Sequence, residues 1–295
     1  MSLRALFEVP APAKLNLFLH VVGRRADGYH LLESVFVLID WADTLHFECR
    51  SDGRLQRHDL GAALPPQDLT LAAARLLQTQ SGTPLGADIS IDKRVPWAAG
   101  LGGGSSNAAS TLLALNRLWG LEWPRERLLP LAQRLGADVP FFVGGRNAFV
   151  EGIGERLTPV DVPRQWLAVV KPAAGLATQE IFTHPALVRD TPAATISGFL
   201  ADATKPGFWG QAYGRNDLQP PAQDRCPEVV QATEWLDRHF GNSRMTGSGS
   251  AVFARNGMGD QALAAWPVDG QALPSGWVGR MCRSLDRHPL LDWPG

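Results

Sequence analysis

The chain has 295 residues, of which 45% are hydrophobic and 19% charged, and this composition is typical of a folded globular protein. The 28 lysines and arginines nearly balance the 29 acidic residues, which argues against a surface that holds nucleic acid or an anionic membrane. Three isolated cysteines fit a reducing compartment, and no apolar run reaches membrane-spanning length. We therefore expect a cytoplasmic protein of two domains without a signal peptide or a membrane helix.

Residues 13–22 alternate with a period of two, which predicts a strand. Lys14 and Asn16 fall on the same side of this strand. That side either faces solvent, as in an ordinary half-buried strand, or points both polar groups into a cleft. A turn closed by Asp27-Gly28 follows, and residues 31–39 are predicted to form a strand that returns beside the first.

Tyr29 and His30 lie at the mouth of this second strand. An aromatic ring at the start of a strand serves either core packing or the stacking of a ligand, and the sequence leaves both interpretations open. The chain then continues with a predicted turn at residues 40–43, a short strand at 44–49 and a helix at 68–80.

A glycine-rich loop at residues 96–106 joins a predicted strand at 88–95 to a predicted helix, with Ser105 or Ser106 as its N-cap. Four glycines within five residues let backbone N–H groups approach a ligand closely, and the start of a helix favours an anion. The loop is neither a Walker A loop nor a dinucleotide-binding fingerprint. By itself it is therefore either a phosphate-binding loop or a close-packed turn without a ligand.

Asp138 lies between a helix predicted at 125–135 and a Val-Pro step. It is either the N-cap of the next helix or a catalytic carboxylate held at a rigid turn. The segment 147–163 then carries several glycines and prolines, which predicts a boundary between two domains at 1–160 and 161–295.

The second domain is predicted to be α+β, with a glycine turn at 247–249 that lies between two strands. Its other predicted elements are a strand at 166–170, a short helix at 195–202, a helix that begins at Pro227, a helix at 259–266 and a strand at 277–285. Two glycine turns in one chain suggest two walls of one cleft.

Three sequence blocks in this order resemble the GHMP kinase superfamily of small-molecule kinases: Pro12-Ala13-Lys14-Leu15-Asn16-Leu17, Gly100-Leu101-Gly102-Gly103-Gly104-Ser105-Ser106 and Thr246-Gly247-Ser248-Gly249. Two further blocks, at 25–30 and 135–140, resemble the branch whose substrate carries a cytidine diphosphate. The resemblance spans about residues 10 to 255. It implies an α+β fold of two domains with the active site in the cleft between them.

The resemblance also implies a reaction, the transfer of the ATP γ-phosphoryl group to a 2-hydroxyl of a methylerythritol moiety in isoprenoid precursor biosynthesis. Asp138 matches the family's base and Lys14 its partner, while Mg²⁺ is expected to bridge the phosphates and no residue is assigned as a metal ligand. The residues implied to bind ATP are Lys93, Pro96, Trp97, Ala98, Ala99, Gly100, Leu101, Gly102, Gly103, Gly104, Ser105 and Ser106. Those implied to bind the small cytidine diphosphate-linked substrate are Asn16, Tyr29, His30, Thr178, Phe182 and Gly249. Asp68 departs from the pattern, because an asparagine is common at the start of that helix.

Two alternatives remain at this stage. The first is a kinase of the same superfamily for another small alcohol, such as homoserine or mevalonate, since the glycine loop would serve any of them. The second is a nucleotide-binding or nucleic-acid-binding module without catalysis. We expect neither a nucleic-acid nor a membrane partner, and a monomer or a weak homodimer.

Overall fold

A mixed six-stranded sheet occupies the first half of the chain in the computed structural model, which describes residues 3–65, 68–203, 214–259, 261–263, 266 and 273–293. Its strands are β1 (Ala5–Arg24), β2 (His30–Arg50), β3 (Leu55–Asp59), β4 (Gly86–Asp92), β5 (Ala148–Glu151) and β6 (Arg156–Pro159). They run in the order β3-β4-β2-β5-β6, with β1 paired to β2. Only the β3–β4 pair is parallel among these neighbours. The two long paired strands β1 and β2 therefore form the central framework of this half.

A four-stranded antiparallel sheet follows in the second half of the chain. Its strands are β7 (Gln165–Lys171), β8 (Arg244–Met245), β9 (Val252–Met258) and β10 (Val278–Arg283), in the order β10-β7-β9-β8. The short β8 and the longer β9 flank the second glycine turn, as the sequence predicts.

Most of the helices lie on the outer faces of the sheets, whereas α6 (Ile196–Ala203) places Phe199 in the apolar cluster between them. The helices are α1 (Leu69–Ser81), α2 (Gly103–Leu118), α3 (Arg125–Leu135), α4 (Val139–Gly144), α5 (Thr178–Phe182), α6 (Ile196–Ala203), α7 (Gln219–Arg225) and α8 (Pro227–Phe240). The helices predicted at 68–80, 125–135, 195–202 and from Pro227 are confirmed. None of the helices in the described ranges is long and apolar enough to cross a bilayer.

Three buried apolar clusters join these elements into layers. Along β2, Leu38 packs towards α1–α4, whereas its neighbours Val37 and Ile39 pack towards the second sheet. Along β7, Leu167 faces the first sheet and Ala168 faces the helical side that includes α8. Because successive side chains of a strand point to opposite faces, each sheet is buried on both sides. The order of layers is therefore helices, sheet, sheet, helices.

The structure corrects two boundaries in the first half. The turn predicted at residues 40–43 does not form, and β2 runs through it unbroken. Asp43 is fully buried there, and its carboxylate accepts hydrogen bonds from the backbone N–H groups of Arg94 and Val95 at 2.7 Å each. A residue that often breaks strands is tolerated because these partners satisfy its side chain.

The predicted N-caps of α2, Ser105 and Ser106, are also wrong. The N-cap is instead Gly102, three or four residues earlier, and its φ of 70° turns the chain into the first helical turn. The backbone N–H of Ser106 already donates to the Gly102 carbonyl at 2.9 Å, as the interior of a helix requires.

The helix predicted at 259–266 is not formed at residues 261–263, and residues 260, 264 and 265 lie outside the described ranges. The N–H of Leu263 instead donates to the carbonyl of Asn256 in β9 at 2.7 Å.

Candidate active site

A cavity of ≈940 Å³ is lined by residues from both halves of the chain. The predicted site residues in its lining are Lys14, Asn16, Tyr29, His30, Ala98, Gly100, Gly102, Asp138, Thr178, Phe182 and Gly249. The predicted site residues outside its lining are Lys93, Pro96, Trp97, Ala99, Leu101, Gly103, Gly104, Ser105 and Ser106. The fold thus brings both predicted catalytic residues and every predicted substrate-binding residue to one cavity, but only part of the glycine loop.

Lys14 is buried within β1, with 3% of its surface exposed. Its ammonium donates to Asn16 Oδ1 at 2.6 Å, lies 3.6 Å from Asp138 Oδ2, and sits 4.5 Å from the centre of the Phe36 ring. Burial lowers the pKa of Lys14, and the neighbouring Asp138 carboxylate partly offsets this effect. The interpretation of residues 13–22 as a strand with a solvent-facing side is therefore wrong, because both sides are covered.

Asp138 occupies the N-cap position of α4, but its side chain makes no capping hydrogen bond. The side chain is about one-third exposed, at 30%, while the Lys14 side chain beside it is 4% exposed. The separation of 3.6 Å exceeds ordinary hydrogen-bond length. The carboxylate is thus held near a buried cation while it remains open to the cavity.

The two glycine turns pack directly against each other. A Cβ at Gly100 would overlap the carbonyl oxygen of Thr246, and a Cβ at Gly247 would lie 3.0 Å from the Gly100 backbone. The N–H groups of Ser250 and Ala251 donate to the carbonyls of residues 98 and 99, at 3.2 and 3.1 Å. The first loop is therefore close-packed against the second, and it also lines the cavity at Ala98, Gly100 and Gly102.

An ion pair between Asp43 and Lys93 anchors the start of the glycine loop. Lys93 Nζ donates to Asp43 Oδ2 at 2.5 Å and to the Val95 carbonyl at 2.8 Å. Burial lowers the pKa of Lys93, and the neighbouring Asp43 carboxylate partly offsets this effect. Since this ammonium already has two partners, the predicted contact of Lys93 with the nucleotide stays a prediction.

Two polar atoms near the start of α2 are buried without a hydrogen-bond partner: Ser106 Oγ and Asn107 Oδ1. Orphaned buried polar groups are costly, so each such atom in a native structure calls for a missing partner. They lie in the first turns of a helix, where unpaired N–H groups and the helix dipole favour an anion. This part of the chain fits a bound phosphate with its metal ion.

His30 packs against Phe182, with ring centroids 5.1 Å apart and 29° between the planes. Tyr29 beside it is 61% exposed, so it is free to cover a ligand. Burial lowers the pKa of His30, and the positive charges of Arg189 and Arg24 lower it further. Tyr29, His30 and Phe182 form what we call the aromatic end of the cavity, and the imidazole at its centre is neutral.

Arg24 and Arg189 also line the cavity, and sequence reasoning missed both. Arg24 is the last residue of β1, directly before the sequence block at 25–30. Arg189 lies in the irregular Pro- and Thr-rich stretch after α5, where no periodicity or motif distinguishes one arginine from another. Only the folded chain brings it to His30.

Comparison with known proteins agrees with this architecture. The family described as GHMP kinases N terminal domain matches residues 68–146, and GHMP kinases C terminal matches 207–255. The crystal structure of a mevalonate kinase superposes with a TM-score of 0.62 at 14% identity, covering 85% of this chain and 91% of that one, which shows a shared fold. The chain belongs to the GHMP kinases, which makes it a phosphotransferase with ATP as phosphate donor.

Full-length relatives narrow the family further. A 4-diphosphocytidyl-2-C-methyl-D-erythritol kinase of Methylibium petroleiphilum is 66% identical over 295 residues and covers all of both chains. One of Polaromonas naphthalenivorans is 54% identical over 99% of this chain and 97% of its own. A crystal structure of 4-(cytidine 5'-diphospho)-2C-methyl-D-erythritol kinase superposes with a TM-score of 0.71 at 37% identity, covering 84% of this chain and 88% of that one. Within the GHMP kinases, the chain groups with these enzymes.

Proposed function

We propose that the chain transfers the γ-phosphoryl group of ATP to the 2-hydroxyl of 4-diphosphocytidyl-2-C-methyl-D-erythritol, giving the 2-phosphate and ADP. The observation that carries the proposal is the pair of Lys14 and Asp138, 3.6 Å apart in a cavity also lined by His30 and Phe182. Lys14 and Asp138 suit the transfer of a phosphoryl group to an alcohol. The rings of His30 and Phe182 suit the binding of a flat base. The names of the full-length relatives support the same substrate.

Asp138 acts as the general base in this proposal. An alcohol is a weak nucleophile, so its proton must be removed as its oxygen attacks phosphorus. The new bond joins the substrate oxygen to the γ-phosphorus, the bond to the β,γ-bridging oxygen breaks, and the proton goes to Asp138. The missing capping bond at Asp138 leaves its carboxylate oxygens available for this task.

Lys14 supplies fixed positive charge in the same place. Its ammonium is buried and oriented by Asn16, so it needs no rearrangement to meet negative charge on the transferred group. The bond from the Asn16 N–H to Thr246 Oγ1, at 2.9 Å, ties this strand to the second glycine turn.

The glycine loop and the start of α2 hold the phosphates in this proposal. Mg²⁺, when bound, would neutralise phosphate charge and polarise the transferred group. The chain groups that suit the ion or a phosphate are Ser106 Oγ and Asn107 Oδ1. In the described ranges no three His, Cys, Asp or Glu side chains cluster as a metal site.

The experiment that tests the function is ADP release over a panel of alcohols, with 4-diphosphocytidyl-2-C-methyl-D-erythritol, homoserine and mevalonate at equal concentrations. We expect kcat/KM for the cytidine-linked substrate to exceed the others by at least about 100-fold. A preference for homoserine or mevalonate would support the sibling kinase instead. Tight, salt-sensitive RNA binding without ATP consumption would support a module without catalysis.

We also propose the division of the chain into domains 1–160 and 161–295, each with one sheet. The proposal rests on the sheet boundary, since β6 ends at Pro159 and β7 begins at Gln165. We further propose a cytoplasmic monomer or weak homodimer without nucleic-acid or membrane partners. The free cysteines and the net charge of −1 support it.

A further inference from the structure

Arg189 holds His30 by a hydrogen bond at the aromatic end of the cavity. Its Nε donates to His30 Nε2 at 3.1 Å. An arginine side chain has donors only and stays charged, so His30 Nε2 must be the acceptor. The other ring nitrogen, Nδ1, therefore carries the proton of the neutral imidazole.

The arginine itself is fixed in place. Its Nη1 donates to the Leu187 carbonyl at 2.9 Å, and its Nη2 donates to the carbonyls of His184 and Phe182 at 2.9 and 3.3 Å. The same guanidinium thus secures the backbone of the residue whose ring stacks on His30. Both the plane of the imidazole and its protonated nitrogen are set before any ligand enters.

A fixed ring donor distinguishes the two common pyrimidines. Cytosine presents N3 and O2 as neighbouring acceptors, whereas uracil carries a hydrogen on N3. An imidazole free to change tautomer could donate to one base or accept from the other. An imidazole whose second nitrogen is occupied can only donate, so it matches cytosine and leaves the N3–H of uracil unpaired.

We propose that Arg189 is a positioning residue that selects cytidine over uridine by locking His30 in the tautomer with the proton on Nδ1. The inference rests on the proposed function, because it takes the cavity's aromatic end as the site of the base. It assigns specificity to a side chain that need not touch the substrate.

The test compares Arg189→Met with Arg24→Met. Both arginines line the cavity and place positive charge near His30, but Arg24 Nε donates to the Gly28 carbonyl and not to the imidazole. The measured quantity is kcat/KM for 4-diphosphocytidyl-2-C-methyl-D-erythritol and for its uridine analogue. We expect Arg189→Met to raise KM for the cytidine substrate, to change kcat little, and to reduce the cytidine-to-uridine ratio at least about tenfold. Arg24→Met should keep the ratio within about twofold, because it leaves the His30 tautomer fixed.

A spectroscopic measurement on the wild-type protein tests the same inference without a variant. Correlation spectra of ¹⁵N-labelled histidine report which ring nitrogen carries the proton, and a His30→Asn sample identifies the signal. We expect the proton on Nδ1 in the wild type and a mixture in Arg189→Met. A wild-type proton on Nε2 would overturn the inference, even if Arg189→Met failed to fold.

The outcomes separate this inference from the proposed function. If the wild type phosphorylates the cytidine substrate and Arg189→Met keeps the wild-type ratio, only the role of Arg189 is overturned. If the wild type phosphorylates neither pyrimidine substrate, the proposed function fails, and the specificity claim fails with it.

Discussion

Lys14 shows why a costly residue can be kept in a protein interior. Burying an ammonium without partners costs several kcal/mol, so natural proteins surround it with acceptors and counter-charge. Here Asn16 supplies the acceptor, Asp138 the charge and Phe36 a ring face. All the lysines that the structure describes, at positions 14, 93 and 171, are similarly held by several partners. Most cationic residues of the chain are arginines, and these three lysines lie where a compact point charge fits.

Replacement of Asp138 by asparagine tests the base. The amide keeps the shape of the carboxylate but cannot take up the substrate proton, so we expect kcat to fall by about 10²-fold or more. ATP affinity, measured by calorimetry, should change little, because the glycine loop is untouched. The exposed Asp161→Asn is the control and should retain wild-type kcat. Near-normal turnover in Asp138→Asn would refute its assignment.

His288 makes stability depend on pH. The residue is 1% exposed, its Nδ1 accepts from the Leu290 N–H at 3.1 Å, and burial lowers its pKa to about 3. The nearby positive charge of Arg125 acts in the same direction. Between about pH 6.5 and pH 3 the unfolded chain binds a proton there and the folded chain does not, so stability falls as pH falls.

We expect this single group to remove about 2 kcal/mol of unfolding free energy between pH 7 and pH 5. His288→Asn keeps an acceptor near the Leu290 N–H but does not titrate. Between pH 7 and pH 5 the variant should therefore lose about 2 kcal/mol less unfolding free energy than the wild type. Urea unfolding at the two pH values measures the difference. The partly exposed His58→Asn serves as the matched control, and an unchanged pH dependence in His288→Asn would contradict the prediction.

At the scale of elements, the glycine loop and the second glycine turn behave as one unit. Gly100 has a φ of 72° and lies against Thr246, so it meets two separate demands that only glycine satisfies together. Gly104, four residues further on, lies in α2 with open space around its Cα. Backbone conformation and packing therefore require a glycine at position 100 but not at position 104.

Alanine substitution distinguishes these two glycines. We expect Gly100→Ala to lower the unfolding free energy by about 2 kcal/mol or more, because a left-handed alanine costs 1–2 kcal/mol and its Cβ pushes the turns apart. KM for ATP should rise as well. Gly104→Ala should be as stable as the wild type or more stable by up to about 1 kcal/mol, since alanine favours a helix. Denaturant unfolding of both variants decides the matter, and equal stability losses would disprove the distinction.

At the scale of the whole molecule, a shared apolar cluster holds the two sheets together. Leu167 and Phe253 of the second sheet pack in the same buried cluster as Val37 and Ile39 of the first. The cavity is lined from both halves, so its shape depends on this contact. Proposed domains that share a core of this kind should unfold together.

Leu167→Ala tests that coupling. Leu167 is fully buried, and its truncation should cost about 2–5 kcal/mol. We expect a single unfolding transition, shifted equally for circular dichroism and for tryptophan fluorescence. Leu263→Ala, at an 86% exposed position, should leave the transition unchanged. Two separated transitions in the wild type would show that the halves unfold independently.

The sequence predicted local features well where the residues follow a regular pattern. The alternation at 13–22 placed Lys14 and Asn16 on one side of a strand, and both line the cavity. The segment after α5 has no such pattern, so Arg189 could not be distinguished before the fold was known. The unbroken course of β2 was also beyond local reasoning, because the partners of Asp43 lie about 50 residues away along the chain.

The sequence by itself determined the order of strand, glycine loop and helix, the likeness to GHMP kinases, and the residues proposed for catalysis. Backbone conformation and side-chain period are local properties, so they can be recognised in short stretches. The tertiary structure alone decided that both faces of β1 are buried, that the two glycine turns touch, and that Arg189 orients His30. These depend on contacts between distant parts of the chain, which packing of the two sheets creates and local sequence does not encode.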